Sequence, residues 1–298
     1  SVEKTQIIDG TARFVDDHTV AVDTAEGEKL FKADRIFINT GATPFVPPVE
    51  GLTIGGAIHT SETIMNLEEY PESLVIIGSG FIGLEFAATY AQFGTKVTVV
   101  DVIDTFLPRE DEDVAQAVKE QLEALGVTFN LGVQLKAVHQ EGGKAVVEAT
   151  TGEGAPVAFT TDAVLVATGR RANVQGLDLD KAGVELTERG AIKVNEFLQT
   201  NVPHIFAMGD VNGGPQFTFV SLDDFRIVKR FLAGDTTYST KQRAKFPTAT
   251  FINPPLASVG LNEKQAKEAG IEVKVAKLPT MAIPKAKILG NQVGFYKV

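Results

Sequence analysis

The chain has 298 residues, 44% hydrophobic and 22% charged, a composition that folds as a globular protein and a length that suits two or three domains. The formal charge of −10, with no Lys/Arg block to offset it, argues against nucleic acid and anionic membrane as partners, and no apolar run approaches the ~20 residues of a membrane span. There is no cysteine, so neither a disulfide framework nor thiolate chemistry comes from these residues, and Ser1 opens neither a signal nor a transit peptide, which makes a cytoplasmic location the default expectation.

In chain order, IIDGTARFVDDHTVAV reads as β-hairpin strands that need a parent sheet. ADRIFINTGA, Ala33 to Ala42, is an alternating strand that ends in Thr40-Gly41, and Pro47-Pro48 marks a linker. The most informative stretch follows, VIIGSGFIGLE, in which an apolar strand runs into Gly78, Gly80 and Gly83 at GxGxxG spacing and then into a helix, Leu84 to Phe93. Gly78 allows the tight turn, Gly80 the approach of bare backbone to a pyrophosphate, and Gly83 the close packing of helix on strand. After the turn at Gly94, the strand KVTVV ends at Asp101, 18 residues past Gly83. That matches the acid expected about 20 residues on, whose carboxylate accepts both ribose hydroxyls of a dinucleotide. A carboxylate there repels a 2′-phosphate, and the next basic residue is Arg109, beyond Pro108, so NADH is expected over NADPH. The alternative is an Asp that merely caps the following loop. The acids of Arg109 to Asp113 begin a helix, Val114 to Leu125, which runs through Gly126 into the strand VTFNL.

TDAVLVATGR, Thr161 to Arg170, repeats the earlier strand. In both copies an Asp, Asp34 or Asp162, stands six residues before the Thr of Thr-Gly. If the repeat is real, the first copy's own glycine loop belongs about 50 residues upstream of Ser1, and the chain is expected to be a fragment. Further on, the strand HIFAM leads to Gly209-Asp210, and Gln216, Phe217 and Thr218 precede an apolar run. The last part carries Pro254-Pro255 beside a strand and one helix, Glu263 to Ala269. At about 50 residues it is too small for a full core and is expected to expose an apolar face. The four histidines show no metal spacing and read as solvated; Asp223, Asp224 and Arg226 read as a solvated helix face, and no metal site is expected.

With these motifs in place, the chain resembles the flavin-dependent pyridine nucleotide-disulfide oxidoreductases, the family of lipoamide dehydrogenase, glutathione reductase and mercuric reductase. GSGFIGLE is similar to the family's NAD(P)H loop, INTGATPFVPPVEG and VATGRRANV to its two interdomain crossings, TNVPHIFAMGDV to its second flavin motif, and FPTATFINPPLASVGLNEKQA to the entrance of its interface domain. FLPREDEDV, QFTFVSLDDFRIV and AIPKAKIL resemble the mercuric-reductase-like branch that includes hypothiocyanous acid and reactive-chlorine resistance reductases. The resemblance implies an α/β fold of two nested Rossmann-like dinucleotide-binding domains and a partial α+β interface domain. Residues 1–70 and 175–243 would hold FAD, 71–174 NAD(P)H, and 244–298 a homodimer contact.

It also implies roles. Gly78, Gly80, Phe81, Ile82, Gly83, Glu85, Asp101 and Gly169 would line the nicotinamide cofactor, Phe81 as an aromatic gate and Glu85 near the nicotinamide as the catalytic pair. Thr40, Gly41, Arg170, Gly209, Asp210, Gln216, Phe217 and Thr218 would cradle FAD, with Asp210 on a ribitol hydroxyl and a helix opening beneath the flavin's pyrimidine ring. Ala172 replaces the Pro of the family's GRxPN crossing. The redox cysteines and the acid-base His-Glu pair have no counterpart in the chain. The implied activity passes hydride from NAD(P)H to FAD and on to a redox disulfide that reduces a disulfide, metal or reactive oxidant. A non-catalytic nucleotide-binding module, or a cysteine-free FAD-dependent NADH oxidoreductase, stands as the alternative.

Overall fold

The computed structural model describes residues 5–243 and 245–298, which form two compact units: residues 5–43 with 170–243, and residues 44–169 with 245–298. The first four residues of the expected flavin segment, and residue 244 at the expected start of the interface domain, lie outside the described residues.

The first unit opens with an antiparallel meander of β1 (Thr11–Phe14), β2 (Thr19–Thr24) and β3 (Gly27–Lys32). β2 buries Thr19 and Ala21 on one face and Val22 on the other, and is exposed only toward its end at Asp23. The chain continues through β4 (Ile36–Ile38) and β5 (Ala42–Pro44).

The second unit is built on a five-stranded parallel sheet. Its strands are β6 (Ile58–Thr60), β7 (Ser73–Ile77), β8 (Lys96–Val100), β9 (Thr128–Asn130) and, after an antiparallel meander of β10 (Gln134–Glu141), β11 (Lys144–Thr150) and β12 (Pro156–Thr161), β13 (Ala163–Val166). The spatial order is β6-β13-β7-β8-β9, and α1 (Phe81–Gln92) and α2 (Glu112–Ala124) make the crossovers from β7 to β8 and from β8 to β9.

Alternate residues of the central strands serve two cores. Leu74, Ile76, Val97, Val99 and Leu165 pack under Leu84 and Ala88 of α1 and Val118 and Leu122 of α2, while Val75, Ile77, Val100, Val164 and Val166 face Val138, Val147 and Ala149 of the meander. Strands buried on both faces explain the near-continuous runs LVII and AVLV.

The sequence reading draws a boundary at 70/71. In the structure the sheet starts upstream of it, because β6 pairs in register with β13, Ile58 opposite Val164, and all three β6 residues are buried. One of them is His59, expected to be solvated; burial lowers its pKa.

Returning to the first unit, β14 (Arg170–Ala172) pairs with β5, and β15 (Ile205–Ala207) runs parallel to β4. Ile205 and Ala207 face a core with Phe14, Ile38 and Ile192, whereas Phe206 turns the other way onto Ile227 and Val228 of α3 (Thr218–Leu232).

The remaining elements belong to the second unit: β16 (Thr248–Thr250), β17 (Leu256–Ser258), α4 (Glu263–Glu268), β18 (Lys277–Pro279), α5 (Pro284–Ile288) and β19 (Phe295–Lys297). Ile252 enters the helix-side core, Gln121 of α2 donates to the Pro254 carbonyl at 3.0 Å, and Asn262 forms a capping box at the start of α4. Asp111 and Asp113 do more than complement a helix dipole. Lys297 reaches Asp111 and Asp113 at 2.8 Å each and Glu263 at 2.5 Å, and Lys277 pairs with Asp113. Phe251, Ile288, Leu289 and Tyr296 stay exposed, an apolar surface of the kind the sequence suggests.

Candidate cofactor sites

The glycine loop lies at the carboxyl end of β7, in the middle of the parallel sheet, where doubly wound folds bind ligands. Gly78 has φ +111°, and a Cβ there would stand 2.5 Å from the Ala167 carbonyl oxygen, so both conformation and space require glycine. At Gly83 a Cβ would be 2.1 Å from the Gly78 oxygen, which is what lets α1 start against the turn. Gly80 differs. It is the N-cap of α1 with φ −74°, a Cβ there would meet nothing within 4 Å, and no side chain caps the helix. Bare N–H groups at the positive end of a 12-residue helix, with open space above Gly80, suit a diphosphate.

Asp101 sits at the end of β8, as expected, but its carboxylate is already engaged. Oδ2 accepts from the Ser79 N–H and the Ser79 hydroxyl, both at 2.6 Å, and Oδ1 accepts from the Ile103 N–H at 3.0 Å. Of roughly four acceptor positions on a carboxylate, three are taken by the chain itself, so it cannot also take both ribose hydroxyls in full. Asp101 braces the loop and presents a fixed negative charge beside it. Ser79 is a site residue the sequence reading missed; a hydroxyl between the first two glycines is its only sequence mark.

Phe81 opens α1 with 42% of its surface exposed, and Ile82 packs partly against the helix-side core. Glu85 lies one turn in, where its Oε1 accepts the Phe251 N–H at 2.8 Å. That bond ties the residue expected near the nicotinamide to the segment that begins at Lys245.

The internal repeat is a structural one. Thr168 donates its hydroxyl to the Phe45 carbonyl at 2.7 Å, and the Phe45 N–H donates to the Gly169 carbonyl at 2.9 Å. Thr40 donates to the Asn173 carbonyl at 2.7 Å, and the Asn173 N–H donates to the Gly41 carbonyl at 2.9 Å. Each copy closes with the same pair of bonds, the first pair within the second unit and the second pair within the first. Gly41 and Gly169 both have positive φ and nothing within 4 Å of a built Cβ, which leaves their outer faces open. The Thr hydroxyls are spent on the chain.

In the first unit, Arg170, Asp210 and Gln216 line one cavity of about 1000 Å³, together with Arg171, Arg189 and Asn212. Gly209 turns at φ +70°, and a Cβ there would strike the Ser221 hydroxyl at 2.8 Å and the Asn39 side chain at 2.9 Å. Burial pushes the Asp210 carboxyl above its ordinary range, the Arg170 guanidinium opposes this, and the Asp224 charge adds to it. Phe217 is the N-cap of α3 and stacks on Phe219 with ring centroids 5.2 Å apart. Thr218 opens the helix, and no side chain caps it. The cavity's basic and polar lining and the uncapped helix start suit an anionic or electron-accepting ring system.

Asp224 corrects the sequence reading of a solvated face. It is 2% exposed, on the same side of α3 as Val220, Ile227 and Val228, a spacing that could have placed it inside.

Comparison with known proteins decides the family. The sequence matches the pyridine nucleotide-disulphide oxidoreductases over residues 1–224 and the dimerisation domain of the same proteins over residues 246–298. The chain belongs to this family. It is 40% identical over 291 residues to a probable pyridine nucleotide-disulfide oxidoreductase, RclA, of Escherichia coli K12, covering 98% of this chain and 65% of that protein. A dihydrolipoyl dehydrogenase of Mycobacterium tuberculosis H37Rv is 36% identical, with 98% and 62% covered, and a mercuric reductase of Staphylococcus aureus 35%, with 98% and 52%. The solved structure of the HOCl-induced flavoprotein disulfide reductase RclA from Escherichia coli superposes with a TM-score of 0.92 at 39% identity, over 98% of this chain and 65% of that one. The fold is therefore the mixed α/β, Rossmann-type fold of the flavoprotein disulfide reductases, and the chain spans 52–65% of the length of these relatives. Among the described residues, no helix is long and apolar enough to cross a membrane.

Proposed function

We propose that the chain supplies the nicotinamide-binding half and part of the flavin cradle of an oxidoreductase that moves two electrons from NADH through FAD to a redox disulfide. The observation that carries this reading is the uncapped start of α1 under the open Gly80, with Asp101 held against the loop by Ser79. Its backbone N–H groups would bind the diphosphate, and the Gly80 backbone would admit it closely. The fixed Asp101 charge supports NADH over NADPH, since it would repel a 2′-phosphate. On the other unit, Arg170, Asp210 and Gln216, with the start of α3 at Phe217 and Thr218, would hold the flavin and stabilise negative charge on it. When bound, these cofactors supply the electron chemistry: the nicotinamide gives hydride, and the flavin hands the electron pair to a disulfide. No cysteine is among the 298 residues, so that disulfide is not one of this chain's own. The match to a dimerisation domain and the exposed Phe251, Ile288 and Tyr296 support a homodimer.

Titration calorimetry of the chain with NADH and NADPH, on wild type and Asp101→Ala, tests the reading. The expected result is an NADH preference that the substitution narrows; a wild-type preference for NADPH overturns the cofactor assignment, and no binding of either nucleotide overturns the site.

A further inference from the structure

Asp224 is a buried carboxylate to which neither the family resemblance nor the proposed reaction gives a task, and its two oxygens divide between one turn and one guanidinium. Its Oδ2 takes the Gly209 N–H at 2.8 Å and the Asn212 side-chain amide at 3.1 Å, so it grips the turn on both sides of Asp210. Its Oδ1 pairs with Arg243. The same guanidinium donates through Nε to Asp223 at 2.7 Å, and Asp223 also accepts the Tyr238 hydroxyl at 3.0 Å. A buried carboxylate without a partner is costly, and the forked guanidinium supplies that partner. Bonds from an amide N–H to a carboxylate paired in this way are charge-assisted, roughly twice as strong as neutral ones. Gly209 sits so close to α3 that even a methyl group there would strike Ser221, so the turn and the helix are already in contact where Asp224 bonds them.

We propose that Asp224, paired with Arg243, is a positioning residue for the flavin: it welds the Gly209–Asn212 turn, which carries Asp210, to the helix whose first residues are Phe217 and Thr218. The inference rests on the flavin reading above and extends it. Asp210 and the α3 N-terminus are otherwise separate chain segments; one carboxylate six residues into the helix fixes the distance between them, so both flavin contacts belong to one rigid piece. Positioning of this kind demands a geometric tolerance of about 0.5 Å, which a floppy turn cannot supply.

Two variants in the whole protein that carries these residues separate positioning from mere support of the fold. Asp224→Glu keeps the charge and the Arg243 pair but reaches one methylene further, displacing the turn. Asp224→Leu with Arg243→Met removes both charges together, which buried ion pairs often tolerate, and leaves the Gly209 N–H without its acceptor. Flavin affinity is read by fluorescence quenching, the melting temperature on flavin-free protein, and the Gly209 amide proton by NMR. The expected result is about tenfold or greater loss of FAD affinity in both variants, with flavin-free melting within a few degrees for Asp224→Glu and an upfield Gly209 amide in the double variant. Wild-type FAD affinity in Asp224→Glu, or losses that only track the melting temperature, overturn the inference. Should the double variant not fold, Asp224→Glu decides alone. If the wild-type protein itself takes up no FAD, the flavin reading falls and this inference with it; if wild type binds and both variants bind equally, only this inference falls.

Discussion

Three glycines share one motif, yet the structure assigns them different duties, and paired alanine substitutions separate those duties. At Gly83 a Cβ would stand 2.1 Å from the Gly78 carbonyl oxygen, so α1 must move by about 1 Å to admit it, an overpacking that costs about 1–3 kcal/mol. For a unit of this size that is a fall in melting temperature of about 2–12 °C. At Gly80 the backbone has φ −74° and ψ 177°, which any residue adopts, and a Cβ meets nothing, so Gly80→Ala is expected to change stability by less than about 0.5 kcal/mol. Its methyl group instead occupies the space above the helix start that the diphosphate needs. NADH affinity is expected to drop about tenfold or more, which is ~1.4 kcal/mol or more. Thermal unfolding and calorimetric NADH titration, run on both variants, form a two-by-two comparison. Full-strength NADH binding by Gly80→Ala would refute the idea that the open face of Gly80 is where the cofactor approaches, whatever Gly83→Ala does.

Ser79→Ala removes one of the two bonds that Ser79 makes to Asp101 and is expected to weaken NADH binding by about 0.5–1.5 kcal/mol while leaving the fold intact, measured in the same titration. Thr40→Val and Thr168→Val each delete one hydroxyl bond of 2.7 Å from matching positions of the repeat, and equal losses of about 0.5–1.5 kcal/mol are expected in urea unfolding; a loss at one position only would deny that the two closures are equivalent. The ion cluster at α4 predicts acid sensitivity. Burial alone would raise the Asp113 carboxyl, but hydrogen bonds from Lys277 and Lys297 outweigh it and hold the value at about 2. A depressed carboxylate contributes stability above its unfolded value near 4 that is lost as pH falls through about 2, here about 2 kcal/mol, and Lys297→Met is expected to reduce that acid transition, with Lys277 left to hold Asp113, while Lys277→Met with Lys297→Met removes it, as read in hydrogen exchange of the 251–298 segment.

The backbone of the second unit is legible in the sequence because its signals are local. Runs such as LVII and AVLV, three glycines at fixed spacing, and an acid at the end of the next strand are each decided within a few residues. The repeat, too, is visible, since its closing bonds come from the same residue types at one offset. What the sequence hides is long-range pairing. Nothing near Glu85 announces Phe251, and nothing near Asp111 announces Lys297, because those bonds depend on where the C-terminal segment packs. His59 lies in a strand too short for alternation to show, so its burial comes only with the parallel pairing to β13. Asp224 is the instructive case. Its spacing from Val220 and Val228 marks the buried face of α3, but a charged residue there is expected to be buried only when paired, and its partner Arg243 lies 19 residues away in a loop.

The bracing of Asp101 alters what its carboxylate does in this cofactor site. A free acid at the end of the second strand recognises a ribose by accepting from its hydroxyls, and the discrimination then depends on those bonds forming. Here Ser79 and Ile103 take three acceptor positions, so recognition by hydrogen bonding is reduced to what one remaining position can offer. Fixed charge remains, and it is held on the loop proposed to receive the diphosphate. Two like charges about 4 Å apart at a protein surface repel by about 4 kcal/mol before screening, more than a single hydrogen bond contributes. On the cofactor assignment proposed above, exclusion of the phosphorylated cofactor would then outweigh attraction of the other. Salt separates the two effects: raising ionic strength is expected to erode the preference for NADH by strengthening NADPH binding, with little change in the affinity for NADH itself, and a preference lost through weaker NADH binding would return the acid to its role as a hydroxyl acceptor.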